Sequence, residues 1–319
     1  MKHPVHRKKR PSLQSIYVHH IIWGSVCIVL LGLLIGLWFN TRSLDQKAIA
    51  LEQKLAILSS ASCTARDPWQ AGTTKKFTIE TNGTDRSFLV HLPKGFSPTQ
   101  YYPALMFFPG KGSDAVGGQQ STNLNSLPGV IIYPEPTVGN DLMYSWQGAP
   151  YSSGANDVQF VSDILDKVES QLCIQRSRVY AAGLSNGGGM VSLLSCNLSN
   201  RFSAFGIVAG AMYYPDGSCK PSKPRPLISI HGDNDGTVPY FGSVQRRLPA
   251  IDSWIAMRAR DNGCAPTPQV IANLATTVST WQNCKNNATV RNLRVHNVGH
   301  IWSTNAPNTL WQFFSTHSL

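Results

Sequence analysis

Residues 178–187 read Arg-Val-Tyr-Ala-Ala-Gly-Leu-Ser-Asn-Gly, a β-prone run that breaks at Gly183 and sets Ser185 between two glycines. Such a serine sits on a sharp strand-to-helix turn that presents its hydroxyl at the end of a sheet. Only glycine two residues before and two after lets the backbone pass that closely. The run from Gly187 to Leu198 continues as a helix, so strand, turn and helix follow in the required order. Ser185 is the candidate nucleophile.

The chain around this turn alternates strand-like and helix-like segments from Cys63 to the end, without internal repeats or a dividing linker. Strands are expected at Phe77–Glu80, Arg86–Leu92, Ala104–Phe108, Val130–Tyr133, Arg178–Ala182, Phe205–Ala209, Leu227–His231 and Val290–Val295. Helices are expected at Asp157–Leu172, Gly187–Cys196, Val244–Asn262 and Thr309–Ser315. Eight strands alternating with helices imply a mostly parallel sheet covered on both faces.

A nucleophilic serine needs a base, and the base needs an orienting acid. After the strand ending at His231 comes Gly-Asp-Asn-Asp-Gly-Thr-Val-Pro, a loop at the carboxyl end of a late strand. Asp233 and Asp235 compete there. Asp235 is preferred, because Asp233 stands at the first turn, where a carboxylate usually caps backbone N–H groups. The base is expected after the last strand, where His300 lies in Val-Gly-His-Ile-Trp. Ser, Asp and His in that chain order match the α/β-hydrolase arrangement. Oxyanion donors are expected from the backbone N–H groups of Asn186 and of Lys111, in the glycine-bearing Phe-Pro-Gly-Lys-Gly loop after the third strand. Pro109 has no N–H to give. Trp146, Tyr151 and Trp302 are candidates for lining a substrate pocket, with core packing as the alternative.

The ends of the chain differ. Residues 1–20 carry Lys2, Arg7, Lys8, Lys9 and Arg10 without an acid, and residues 21–39 carry no charge. Nineteen apolar residues as a helix span about 28 Å, close to the hydrocarbon thickness. A signal anchor with a cytoplasmic basic tail is expected, in preference to a cleaved, secreted form, because no small-residue cleavage site follows the apolar run. Residues 40–62 hold Leu44, Ala48, Leu51, Leu55 and Leu58 at heptad spacing, a short helical stalk. The expected organisation is therefore tail 1–20, span 21–39, stalk 40–62 and catalytic unit 63–319.

More than half of the net charge of +11 belongs to the first 61 residues, with eight Lys/Arg against two Asp/Glu. The remainder does not interleave aromatic and basic residues as a nucleic-acid binder would. Six cysteines (Cys63, Cys173, Cys196, Cys219, Cys264 and Cys284) follow the span, an even number that points to disulfides of unspecified pairing. Their spacings and those of the histidines do not form a metal site, and no cofactor motif occurs: Gly-x-x-x-x-Gly-Lys-Ser/Thr is absent. Sequons at Asn82, Asn197 and Asn287 matter only in a glycosylating host.

From about Cys63 onward the chain resembles the feruloyl esterases and polyhydroxybutyrate depolymerase-like esterases of carbohydrate esterase family 1. The likeness lies in Ser145-Trp-Gln-Gly148, Arg178-Val-Tyr180 leading into Gly183-Leu-Ser-Asn-Gly-Gly-Gly189, His231-Gly-Asp-Asn-Asp-Gly-Thr-Val-Pro239, Asn262-Gly-Cys264 and Gly299-His-Ile-Trp302. The resemblance implies an α/β-hydrolase fold, the triad Ser185, Asp235 and His300, pairing of Cys264 with Cys284, and secretion. Pro109 departs from the histidine usual before the oxyanion glycine, and Ser303 from the proline usual after the tryptophan.

The expected activity is a cofactor-free serine carboxylic ester hydrolase at the cell surface, acting through an acyl-enzyme on carbohydrate-linked, aromatic or short-chain esters. A hydroxyalkanoate polyester depolymerase is the runner-up and a serine peptidase a weaker one. From another class comes an inactive surface-binding module that kept the fold.

Overall fold

The segments Tyr102–Phe108, Val130–Pro134, Ala204–Val208 and Leu227–Gly232 are buried along their whole length. Strands without a polar face belong in the middle of a sheet covered on both sides. The computed structural model describes residues 63–213 and 221–319. In chain order the elements begin with β1 (Thr74–Thr81), β2 (Thr84–His91), β3 (Tyr102–Phe108), α1 (Ala115–Thr122), β4 (Val130–Pro134), β5 (Thr137–Val138) and β6 (Tyr144–Ser145). They continue with α2 (Asp157–Gln171), β7 (Ile174–Leu184), α3 (Asn186–Asn197), β8 (Ala204–Val208) and β9 (Leu227–Gly232). Last come α4 (Ile251–Asp261), β10 (Gln269–Ala272), β11 (Thr276–Trp281), β12 (Val290–Val295) and α5 (Ala306–Ser315).

Ten strands form one sheet in the order β1-β2-β4-β3-β7-β8-β9-β12-β11-β10. The six strands from β4 to β12 run parallel, and the β1–β2, β2–β4, β12–β11 and β11–β10 pairs are antiparallel. All eight expected strands are present. The expectation of eight strands is corrected to ten, because the hairpin β10–β11 extends the far edge. β10 is exposed at every position, so it lacks the buried alternation by which a strand shows itself in sequence. β1 is the opposite edge and shows that alternation along most of its length. It turns into β2 through Asn82 and Gly83, both with positive φ (51° and 74°), the geometry of a two-residue hairpin.

The helix expected over Val244–Asn262 begins only at Ile251. Arg247 adopts a φ of 56° and Pro249 lacks the N–H a helix interior requires, so residues 243–248 close a turn instead. α1 was not expected: two glycines dilute its apolar pattern, and the Asp114 carboxylate caps it by accepting from the Gly117 N–H at 2.7 Å.

Two apolar layers flank the sheet. One packs Phe160, Ile164, Met190, Leu194, Trp254 and Ile255, from α2, α3 and α4, against one face. The other packs Ala115, Leu310, Phe313 and Phe314, from α1 and α5, against the opposite face. Disulfides join Cys63 to Cys173 and Cys264 to Cys284, the latter as the family resemblance implies. Cys196 is disulfide-bonded as well, and Cys219 lies outside the described residues. Among the described residues no helix is long and apolar enough to cross a membrane. The expected tail, span and stalk at 1–20, 21–39 and 40–62 lie outside them.

Candidate active site

The parallel run β7-β8-β9-β12 brings the carboxyl ends of four strands side by side, and the loops leaving β7, β9 and β12 carry Ser185, Asp235 and His300. Ser185 follows β7 directly with φ 57° and ψ −119°, a strained conformation for a residue with a Cβ. Its N–H donates to the Val208 carbonyl at 2.9 Å, and its own carbonyl accepts from the N–H groups of Gly189 and Ala211. A Cβ on Gly183 would stand 2.3 Å from the Gly187 carbonyl oxygen, and one on Gly187 would stand 2.0 Å from that of Phe108. No side chain fits either gap, which accounts for the glycines on both sides of the serine.

Asp235 is buried. Its Oδ2 accepts from Nδ1 of His300 at 2.7 Å, and its Oδ1 accepts from the N–H groups of Thr237 and Val238, both at 2.8 Å. Nε2 of His231 stands 3.2 Å from Oδ2 and 2.8 Å from the Val238 carbonyl. Two acceptors around one ring nitrogen require that Nε2 carry the proton. Burial opposes ionisation of Asp235, but the bonds from His231, His300 and Val238 outweigh it and hold the carboxyl down at about 2. The Asp235 loop is also gripped from outside by the Arg246 guanidinium, which donates to the carbonyls of Gly236 and Thr237.

Asp233 does cap a backbone N–H, that of Asn297 at 2.7 Å, and it also binds Nδ1 of His296 at 2.9 Å and Nε of Arg294 at 3.1 Å. The bond to His296, with smaller help from Asn297 and Arg294 against some desolvation, holds its carboxyl below the usual range. Nε2 of His296 in turn meets Oγ1 of Thr277 at 3.0 Å. This second hydroxyl–imidazole–carboxylate line copies the bonding of a triad, but Thr277 lies within strand β11 rather than on an exposed elbow.

The loop after β3 approaches the serine: a Cβ on Gly110 would touch that of Ser185 at 3.4 Å. Among the described residues no protein acceptor is bonded to the backbone N–H of Lys111 or of Asn186. The Lys111 side chain turns aside to pair with Asp141 and lies over the Tyr151 ring, 4.1 Å from its centroid. Tyr151 is half-buried, with its hydroxyl 3.2 Å from that of Tyr213.

Trp146 does not line a pocket. It is fully buried, packs edge-on against Phe108 and donates its indole N–H to the Pro109 carbonyl, so its placement as a pocket wall is corrected to a core position. Trp302 is half-buried against Phe107 and bonds the Thr122 carbonyl. A cavity of 230 Å³ beside the His300 loop is lined by neither tryptophan but by Val208, Ile230, Leu293, Val295, Gly299 and Ile301 among others. The contact of His231 with Asp235 and the bonds of Trp146 to Pro109 and Asn186 are not legible in the sequence. The signal for His231 was its place four residues before Asp235; Trp146 gave none, because an aromatic residue suits core and pocket alike. Among the described residues no cluster of His, Cys, Asp or Glu has metal-binding geometry.

No family model matches the chain. Feruloyl esterase B of Piromyces equi is 26% identical over 253 residues, covering 73% of this chain and 46% of that protein. Feruloyl esterase C of Emericella nidulans is 25% identical over 254 residues, covering 73% and 87%. The chain thus spans less than half of the first relative and most of the second. Among solved structures, an acetyl xylan esterase from Aspergillus awamori superposes with a TM-score of 0.60 at 13% identity, covering 76% of this chain and 99% of that one. A ferulic acid esterase of carbohydrate esterase family 1 from Anaeromyces mucronatus superposes with a TM-score of 0.52 at 15% identity, covering 81% and 95%. The described unit has the α/β-hydrolase fold, and its relatives in sequence and structure include feruloyl and acetyl xylan esterases of the carbohydrate esterase family 1 type.

Proposed function

We propose that the chain is a serine carboxylic ester hydrolase of feruloyl esterase-like type, with Ser185 as nucleophile, His300 as general base and Asp235 as orienting acid. The observation that carries this reading is the 2.7 Å bond from His300 Nδ1 to a carboxylate held ionised, on loops that leave the same parallel strand run as a strained serine. Nδ1 is engaged, so Nε2 takes the Ser185 proton as the hydroxyl oxygen attacks the ester carbonyl. The N–H groups of Asn186 and Lys111 receive the oxyanion, His300 returns the proton to the leaving alcohol, and water then releases the acid from the acyl-enzyme. The substrates are carbohydrate-linked, aromatic or short-chain esters, in keeping with the relatives' names.

The organisation proposed for the whole chain is a cytoplasmic tail, an anchor at residues 21–39, a stalk and an extracytoplasmic catalytic unit from residue 63. Five disulfide-bonded cysteines among the described residues support the oxidising compartment.

A second reading, hydrolysis of a hydroxyalkanoate polyester, is favoured by large apolar side chains exposed on loops that carry the proposed site residues, follow them or, through the Asp141–Lys111 pair, contact them. Leu142 (87% exposed) follows Asp141, Val244 (90% exposed) and Phe241 follow the Asp235 loop, and Ile301 adjoins His300.

The test is hydrolysis of p-nitrophenyl acetate, p-nitrophenyl butyrate, methyl ferulate and a polyhydroxybutyrate suspension by the full chain, with Ser185→Ala beside it. Activity that vanishes in the variant is expected, and the preferred substrate separates the two readings. If the folded wild type and the variant are equally inert, the binding-module reading takes their place.

A further inference from the structure

One buried residue joins the two loops to which the oxyanion donors belong. Trp146 donates its indole N–H to the Pro109 carbonyl at 2.9 Å and its backbone N–H to Oδ1 of Asn186 at 2.8 Å. Pro109 stands two residues before Lys111, and Asn186 carries the other assigned donor. Both partners are acceptors and Trp146 supplies both protons, so the pair of bonds spans the gap between the loop after β3 and the first residue of α3. The same segment grips the first loop twice more. The Tyr144 carbonyl accepts from the Gly112 N–H at 2.8 Å, and Asp141 pairs with Lys111. Trp146 itself cannot drift: it is fully buried, with Phe108 edge-on at 5.1 Å, and the Gln147 N–H that follows it is bonded to Asp157 at 2.7 Å.

We propose that Trp146 is the positioning residue of the oxyanion hole, a single tie that sets the distance between the Lys111 and Asn186 N–H groups without touching substrate. The inference rests on the oxyanion assignment made above. Donors stabilise a tetrahedral oxyanion only when both point at the place where the charge develops, so a tie between their loops acts on the transition state more than on substrate binding.

Trp146→Phe keeps an aromatic ring at the buried position facing Phe108 and removes the indole donor together with part of the indole volume. Asn186→Ala removes the acceptor of the other bond and leaves the Asn186 backbone N–H in place. In the full chain, with rates normalised to active sites titrated by a fluorophosphonate, each variant is expected to lose about 10- to 100-fold in kcat while KM moves less than about threefold. Inhibition by an aryl trifluoromethyl ketone, whose serine adduct carries the oxyanion, is expected to weaken by the same factor as kcat. A merely structural role would lower the titrated fraction or the melting temperature and leave the normalised kcat and the ketone affinity unchanged, and that result overturns the proposal. If Trp146→Phe does not fold, Asn186→Ala decides alone by the same two readouts. Ser185→Ala separates the layers: full activity in that variant sinks the underlying site, whereas loss there with wild-type behaviour in both tie variants sinks only the tie.

Discussion

Nδ1 of His300 lies 2.7 Å from Oδ2 of Asp235, while Nδ1 of His296 lies 2.9 Å from Oδ2 of Asp233. Two aspartates two residues apart thus each hold a histidine of the last loop, and bond length does not tell them apart. Behind His296 stands Thr277, within strand β11 rather than on an elbow, so the proposed triad runs through His300. Asp235→Asn is expected to lower kcat by about 10³- to 10⁴-fold, because the amide favours the wrong imidazole tautomer. Asp233→Asn should leave kcat within about fivefold and appear as lost stability, since the side chain bonds Arg294, His296 and the Asn297 N–H. Steady-state kinetics of the two variants decide, and the reverse order of losses would move the acid to Asp233.

The Asp235 carboxyl, held at about 2, makes stability depend on acid in a defined window. Its folded value lies below that of the unfolded chain, so the contribution is complete above about pH 4 and drains away as the pH falls toward 2. The size is on the order of 2 kcal/mol. Urea unfolding at several pH values from 6 to 2 is expected to show a slope over that interval that shrinks in Asp235→Asn. An identical pH dependence in the two proteins would refute it.

How far the sequence led differs from element to element. β3, β4 and β8 announced themselves as largely apolar runs, because strands covered on both faces need no polar side, while β9 carries the buried polar Ser229 and His231 within its run. The order of Ser185, Asp235 and His300 was legible for a related reason: a parallel sheet puts every strand's carboxyl end on one edge, so chain position alone gathers these loops. β10 stayed hidden because an exposed edge strand has no buried face to write a period of two. The bonds of His231 to Asp235 and of Trp146 to Pro109 and Asn186 were equally hidden. They depend on where loops return in space, and residue type does not encode that.

The two described disulfides should differ in what they contribute. Cys63 and Cys173 are 110 residues apart, and Cys264 and Cys284 are 20 apart. On the chain-entropy account the longer loop stabilises by about 5 kcal/mol and the shorter by about 3 kcal/mol. Replacing the first pair by serine should therefore lower the melting temperature more than replacing the second. Calorimetry of the two double variants tests this, and equal shifts would mean that local packing, not loop length, sets the effect.

Arg86 and Asp157 form a buried ion pair at 2.8 Å behind the Trp146 segment. Burial pushes the Asp157 carboxyl up against the opposing pull of Arg86, so the pair is heavily desolvated and its net worth small, although losing one partner is costly. Asp157→Leu leaves the Arg86 guanidinium buried without its counter-charge and is expected to cost about 3–5 kcal/mol. Arg86→Met combined with Asp157→Leu should cost at least about 2 kcal/mol less than the sum of the single changes, the mark of direct coupling. Asp157 also holds the Gln147 N–H at 2.7 Å, so Asp157→Leu releases the residue next to Trp146. Its kcat per titrated site should therefore fall as well, and the double variant, which restores packing but not that bond, should recover stability without recovering rate. A chemical-denaturation cycle with kinetics on the same four proteins tests both halves. Additive stabilities would dismiss the coupling, and a rate that recovers with stability would dismiss the link through Gln147.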